Sequence, residues 1–112
     1  MKGITNMKKE DQIAINEKVK RFYEIFKKDA FIHIPFYDFY WNRLNNCQAY
    51  WLEYQGMKIL KSYHTIIAII DENGNAYDFL RLVYGYTATS AQHISKFYKL
   101  FGVNRVYQYR EC

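Results

Sequence analysis

The chain has 112 residues, half of them hydrophobic and one fifth aromatic, and a formal net charge of +5. This length indicates one domain with one core, and this hydrophobic content excludes a disordered chain. No run reaches the ~18 apolar residues of a membrane span, and residues 1–9 lack the apolar centre of a signal peptide. We therefore expect a single cytoplasmic domain, without membrane contact, whose Cys47 and Cys112 stay reduced.

The first predicted element is a basic helix over residues 9–28, preceded by a flexible tail at residues 1–8. The apolar stripe of a helix recurs at spacings of four, three and four in Ile15, Val19, Phe22 and Phe26. Basic residues outnumber acidic ones in this part of the chain, which favours contact with phosphates or an acidic protein. The cations that we expect to bind a partner here are Lys18, Lys20, Arg21, Lys27 and Lys28.

An aromatic segment follows at residues 29–46 and contains the only proline, Pro35. Proline disfavours helix at the preceding residue, so the segment is predicted to begin extended and to continue as a short helix over residues 36–44. One interpretation is a flap that closes one side of the core. The other is a patch that binds a partner, and it assigns that role to Phe36, Tyr37, Tyr40 and Trp41.

Residues 48–109 are predicted to form a sheet and a second helix. Alternating or apolar runs between turn signals predict four strands at residues 48–54, 57–63, 65–70 and 76–83. A last edge strand is predicted over residues 103–109, where Arg105 and Arg110 keep the edge polar. The order indicates an α+β fold, with an antiparallel sheet of four to five strands and both helices packed mainly on one face.

The second helix is predicted to begin with Thr89 as its N-cap, because Thr89 and Gln92 form a T-x-x-Q capping box. Gly102 has the position of a helix C-terminal glycine. Two further cations on this helix, Lys96 and Lys99, complete the predicted partner-binding residues.

Hydroxyl and imidazole groups concentrate where the hairpin is expected to meet this helix. We interpret them as a structural joint whose hydrogen bonds contribute about 1 kcal/mol each. The alternative is an anion bound at the helix N-terminus. The residues of this joint are Tyr63, Thr65, Tyr86, Thr87, Thr89, Ser90 and His93.

Catalytic and metal chemistry find little support in the spacing of the reactive residues. Ser90 and His93 stand at i, i+3, as a nucleophile and its base would, but no G-x-S-x-G elbow surrounds Ser90. His33, His64 and His93 have no ligand spacing with one another or with the cysteines. We expect no catalytic residues, no metal and no cofactor.

Two short patterns resemble a group of small phage and mobile-element proteins. The first is S-Y-x-T-x-I-A from Ser62, and the second is Y-T-x-T-S-x-x-H from Tyr86. The group has Ser after the second Tyr and Thr at the second capping position, where this chain has Thr87 and Ser90. The resemblance covers about a third of the chain and implies a phage-type setting, in which some proteins act as anti-CRISPR inhibitors.

Three functions follow as hypotheses. The first is a non-enzymatic, phage-type inhibitor or interaction protein that binds a host protein or ribonucleoprotein. The second is a basic nucleic-acid-binding protein, because basic helices beside a Tyr-rich sheet can combine phosphate contacts with base stacking. The third is a small enzyme that uses His93. Edge strands and aromatic patches also allow a homodimer.

Overall fold

The computed structural model describes residues 8–32, 41–44, 47–63, 65–83 and 88–110. It confirms the α+β class, with an N-terminal helix, a second helix and a six-stranded sheet. The helices are α1 (Lys9–Ile32) and α2 (Ala88–Phe101). The strands are β1 (Asn42–Arg43), β2 (Ala49–Tyr54), β3 (Met57–Ser62), β4 (Thr65–Ile70), β5 (Asn75–Asp78) and β6 (Arg105–Gln108).

The strands follow the chain order across the sheet, from β1 at one edge to β6 at the other. Four neighbouring pairs are antiparallel, but β5 and β6 are parallel. The sheet is therefore mixed, where the sequence predicted an antiparallel one. The reason is that α2 lies between β5 and β6 in the chain. The helix forms a crossover connection that returns the chain to the end of the sheet where β5 begins, so β6 runs in the same direction as β5.

The two helices cover opposite faces of the sheet, so the prediction that they pack mainly on one face is wrong. One buried cluster joins Val19 and Phe26 of α1 to Leu52, Ile59, Ile69 and Tyr77, which define the α1 face. The other joins Ile94 and Phe97 of α2 to Ala49, Leu60, Ala68 and Ala76, which define the α2 face. Strand β4 is apolar on both sides, so both of its faces need a cover.

The aromatic segment divides between two elements. Helix α1 continues to Ile32 and so includes the first residues of the predicted flap. The short helix predicted over residues 36–44 is wrong at its end, because Asn42 and Arg43 form β1 beside Trp51 and Tyr50. This pairing satisfies backbone hydrogen-bonding groups on the outer edge of β2. Helix and strand propensities describe only neighbouring residues, so they do not predict such a pairing. Residues 33–40 lie outside the described residues.

The ends of β5 and α2 also differ from the prediction. Strand β5 stops at Asp78, whose Oδ1 accepts a hydrogen bond of 3.0 Å from the Leu80 N–H and so turns the chain into a short 3-10 helix. Helix α2 begins at Ala88, so Thr89 lies in its first turn instead of capping it. The glycine predicted to end this helix does so, since Gly102 has φ of +64°.

Candidate functional site

Helix α1 is held against the end of β6 by two amide side chains. The Asn16 amide nitrogen donates to the Arg110 carbonyl over 2.6 Å, and the Arg110 N–H donates to the Asn16 carbonyl oxygen over 2.9 Å. Gln12 donates to Asn16 over 2.9 Å and to the Gln108 carbonyl over 3.5 Å. Asn16 thus offers Arg110 one donor and one acceptor, as a neighbouring strand would, and covers part of this sheet edge.

The start of β6 is fixed by the turn between β4 and β5. The Asn104 N–H donates to the Gly74 carbonyl over 2.8 Å, and the Asn104 amide donates to the Asn73 carbonyl over 3.0 Å. Gly74 has φ of +82°, and a Cβ placed on it would lie 2.7 Å from the Asn104 amide nitrogen. Glycine is therefore required here by both backbone conformation and space. With both ends held, β6 presents its side chains in a fixed register.

Aromatic rings stack from α1 across the sheet to β6. The Tyr77 ring lies between Phe22, at a centroid distance of 4.2 Å, and Tyr107, at 5.2 Å. The Lys18 ammonium is 4.5 Å from the Tyr107 centroid, and the Lys20 ammonium is 5.3 Å from that of Tyr109. Both distances lie within the range of a cation–π contact. The lysines are exposed, and both tyrosines are half-buried.

Two arginines extend this arrangement, Arg105 at the start of β6 and Arg110 just beyond its end. Arg105 donates to the Tyr107 hydroxyl over 3.3 Å, and Arg110 donates to the Gln108 side-chain oxygen over 2.8 Å. The Arg105 hydrogen bond, together with the charges of Lys18 and Arg105, lowers the pKa of Tyr107. We call this group the α1–β6 surface and define it as Lys18, Lys20, Arg105, Tyr107, Tyr109 and Arg110.

The predicted partner-binding residues do not form one surface. Lys18 and Lys20 belong to the α1–β6 surface, and Arg21 is exposed on the same helix. Lys96 and Lys99 are exposed on α2, which covers the other face, and the Lys96 ammonium donates to the Cys47 sulfur over 3.0 Å. The side chains of Lys27 and Lys28, and the whole of Phe36, Tyr37 and Tyr40, lie outside the described residues.

Trp41 is described, and it is not a free aromatic patch. It is half-buried against the cluster of the α1 face. The Lys61 ammonium lies 4.4 Å from its ring centroid and 5.4 Å from that of Tyr50. Lys61 is itself buried, and this burial lowers its pKa. Trp41 therefore fits the flap interpretation better than the patch interpretation.

The structural joint is centred on a residue that the prediction left out, Ser62. Its hydroxyl lies 2.8 Å from His93 Nδ1 and 3.4 Å from the Ser90 hydroxyl. Ser62 and His93 are each 4% exposed. The alternation of β3 was the available signal, because it places Ser62 on the same face as Leu60 and hence towards α2.

Three other predicted members of the joint are exposed and contribute less to it. Tyr63 is 54% exposed with φ of +57°, and its ring centroid is 6.3 Å from that of His93. Thr65 and Thr89 are exposed. Burial, reinforced by the charge of Lys96, lowers the pKa of His93. Tyr86 and Thr87 lie outside the described residues, as do His33, His64 and Cys112.

A profile of a family of unknown function, DUF8033, matches residues 38–111, about two thirds of the chain. The match spans every described strand and α2, and it leaves out α1. Searches of curated proteins and of solved structures returned no match. Within the described residues, no helix has the length and apolar character needed to cross a membrane, and no three His, Cys, Asp or Glu side chains cluster as a metal site would.

Proposed function

The chain belongs to the family of unknown function DUF8033, and we propose that this member is a non-enzymatic binding protein of phage type. Its partner is a host protein or ribonucleoprotein in the cytoplasm, which it inhibits in an anti-CRISPR-like manner. The observation that carries the proposal is the α1–β6 surface, where two lysines lie over two half-buried tyrosine rings. Interfaces are enriched in tyrosine and arginine at the positions that dominate binding energy.

The positive charge of this surface determines the kind of partner that it attracts. The α1–β6 surface has four cations, and the neighbouring Asp71 carboxylate, which accepts from the Tyr77 hydroxyl over 3.2 Å, offsets one of these charges. Such a surface attracts acidic protein patches or phosphates, and it accelerates their encounter at low ionic strength. The rings beneath the lysines restrict the positions of the ammonium groups, so less side-chain freedom is lost when a partner binds.

The joint gives the competing catalytic hypothesis less support. A nucleophile and its base must both reach the substrate, and Ser62 and His93 are buried between β3 and α2. Their hydrogen bond connects the sheet to the helix, which is a structural task. We therefore place the function on the outer surface of α1 and β6.

A second candidate is direct binding of single-stranded nucleic acid through the same surface. Tyr107 on β6 and Tyr109, the residue just beyond its end, both pack against the cluster of the α1 face, each with a cation beside its ring. Bases stack on such rings while the cations neutralise phosphates. This candidate differs from the first in one measurable respect, which is that the partner is the nucleic acid itself.

The test is affinity capture from a lysate of the host cell, with and without nuclease, using the wild type and two charge-reversed variants. Lys18→Glu/Lys20→Glu changes the α1–β6 surface, and Lys8→Glu/Lys9→Glu makes the same charge change at the exposed start of α1. We expect the first variant to lose the partner and the second to keep it. A partner that withstands nuclease supports the first candidate, and one that disappears with nuclease supports the second.

Direct binding to a single-stranded oligonucleotide separates the two candidates further. If the polymer is the partner, the dependence of affinity on salt concentration should weaken in Lys18→Glu/Lys20→Glu, its slope falling by about one for each lost phosphate contact. Equal capture by both charge-reversed variants would contradict the assignment of function to this surface.

A further inference from the structure

A cleft of about 890 Å³ opens between α2 and the carboxyl ends of the parallel strands β5 and β6. Asp78 and Gln108, the last residues of these two strands, line it with polar side chains. Its apolar wall comes from Ile94 on α2 and Val106 on β6. Clefts outside the carboxyl ends of parallel strands are a common position for ligands, and this volume suits a ligand of drug or nucleotide size.

Asp78 contributes a carboxylate to the lining of this cleft. It is 7% exposed, and its oxygens accept hydrogen bonds from the Leu80 N–H over 3.0 Å and from the Gln108 amide over 3.1 Å. Burial raises the pKa of Asp78 despite these bonds and the nearby charges of Arg81 and Arg110. Each carboxylate oxygen has a further lone pair, so Asp78 can still accept a donor from a ligand.

The remaining lining groups are cationic or aromatic. Arg81 and Arg110 line the cleft and are both exposed, so with Asp78 the charged lining residues sum to one positive charge. The half-buried rings of Tyr98 and Tyr109 also line it. The Tyr98 hydroxyl is buried and has no hydrogen-bond partner among the described residues, which is uncommon in a folded protein.

We propose that this cleft binds a nucleotide. The guanidinium groups of Arg81 and Arg110 take the phosphate, because arginine matches phosphate oxygens with two parallel donors. The Asp78 carboxylate accepts from a ribose hydroxyl or a base N–H, as acidic residues at the ends of parallel strands do in dinucleotide-binding folds. The base packs against the tyrosine rings and the apolar wall.

This proposal does not depend on the proposed function, because a free nucleotide can occupy the cleft whether or not the α1–β6 surface binds a macromolecule. The two sites meet at Tyr109 and Arg110, which belong to both. A nucleotide within a strand bound along β6 presents the same chemistry as a free nucleotide. The experiment must therefore include both sources.

The test is isothermal titration calorimetry of the full chain with AMP, GMP, CMP and UMP, and with ribose 5-phosphate and inorganic phosphate. We expect at least one nucleotide to bind with Kd below about 1 mM and inorganic phosphate to bind about tenfold more weakly. Arg81→Gln should weaken nucleotide binding about tenfold, because it removes a charge-assisted bond. Arg43→Gln, an exposed arginine of β1 outside both the cleft and the α1–β6 surface, is the matched control and should bind as the wild type does.

A short single-stranded oligonucleotide shows whether the cleft takes a free nucleotide or a nucleotide within a strand. Competition between the oligonucleotide and the bound mononucleotide assigns the cleft to a nucleotide of a strand, and independent binding assigns it to a free nucleotide. The proposal is overturned if no nucleotide binds at millimolar concentration, or if Arg81→Gln binds as tightly as Arg43→Gln. Equal affinity for inorganic phosphate and for nucleotides also overturns it, since the cleft would then hold only an anion.

Discussion

The two faces of the sheet bury their cores with different residues. On the α1 face, rings pack on rings, as in the stack of Phe22, Tyr77 and Tyr107. On the α2 face the buried sheet residues are small and aliphatic, such as Ala68 and Leu60, and the ring that the sheet adds, Trp51, is only half-buried and contacts Phe101. A tyrosine can bury its ring and keep its hydroxyl wet, whereas an alanine has no polar end to present.

This difference decides where each face keeps its polar groups. The α1 face carries them outward, where lysines lie over tyrosine rings at the solvent boundary. The α2 face holds them inside, as the buried pairs Ser62 with His93 and Asp78 with Gln108. The first arrangement suits the proposed macromolecular partner. In the second, Ser62 and His93 form the joint, and Asp78 and Gln108 line the open cleft.

The largest expected effect is a loss of stability in Phe97→Ala. Phe97 is fully buried on the α2 face, and Phe to Ala changes at such sites cost about 3–5 kcal/mol. Tyr107→Ala, on the half-buried stack of the α1 face, should cost clearly less. Urea unfolding of both variants measures the difference, and equal losses would show that the two faces contribute alike.

Ser62→Ala should have the next largest effect. It leaves the buried Nδ1 of His93 without its 2.8 Å partner, which costs about 1–3 kcal/mol. Thr89→Ala is the control, because Thr89 is exposed in the first turn of α2 and alanine favours helix. If Thr89→Ala proved the more damaging change, Thr89 would be acting as a cap and the joint would be centred there instead.

Local signals account for the part of the fold that the sequence predicted. The turn at Gln55–Gly56 has two positive φ angles, and the alternation before it and the apolar run at Thr65–Ile70 give strands at the predicted places. The end of α2 at Gly102 is equally local, since it needs one residue with positive φ.

The rest depends on contacts between distant parts of the chain. The parallel register pairs Asn75 with Arg105, and Asn16 is bonded to Arg110 across almost the whole sequence. The periodicity of apolar residues within a helix or strand does not predict contacts between residues so far apart in the sequence. Charge and a position on the polar face of α1 predict Lys18 and Lys20. Tyr107 and Tyr109 carry no such signal, because only the folded chain places their rings under those lysines.

Asn16→Ala tests the contact that joins α1 to the sheet edge. It removes two hydrogen bonds to Arg110 at an exposed site, so the expected cost is about 1 kcal/mol. The Arg110 amide should exchange with deuterium faster, since its acceptor is lost. Gln12→Ala removes a 2.9 Å bond to Asn16 and a 3.5 Å contact to β6 but leaves both bonds between Asn16 and Arg110, so it should change both quantities less. Unchanged exchange at Arg110 would mean that the Asn16 side chain does not cover this edge.

The smallest expected effect is the pH dependence that His93 gives to the α2 face. Burial lowers the pKa of His93 in the folded protein, whereas the unfolded chain has the ordinary value of about 6.5. The unfolded state therefore binds the proton more tightly. The contribution of His93 to stability is present above pH 6.5 and is lost as the pH falls through the folded value.

The raised pKa of Asp78 acts with the opposite sign, because the folded state then holds its proton more tightly and gains relative stability as the pH falls. Wild type and His93→Gln share Asp78, so the difference between their unfolding free energies isolates the histidine. We expect this difference to shrink as the pH is lowered from 7.5 to 5, measured by urea unfolding at each pH. A difference that stays constant would mean that His93 titrates alike in both states, and the α2 face would then hold no buried neutral imidazole.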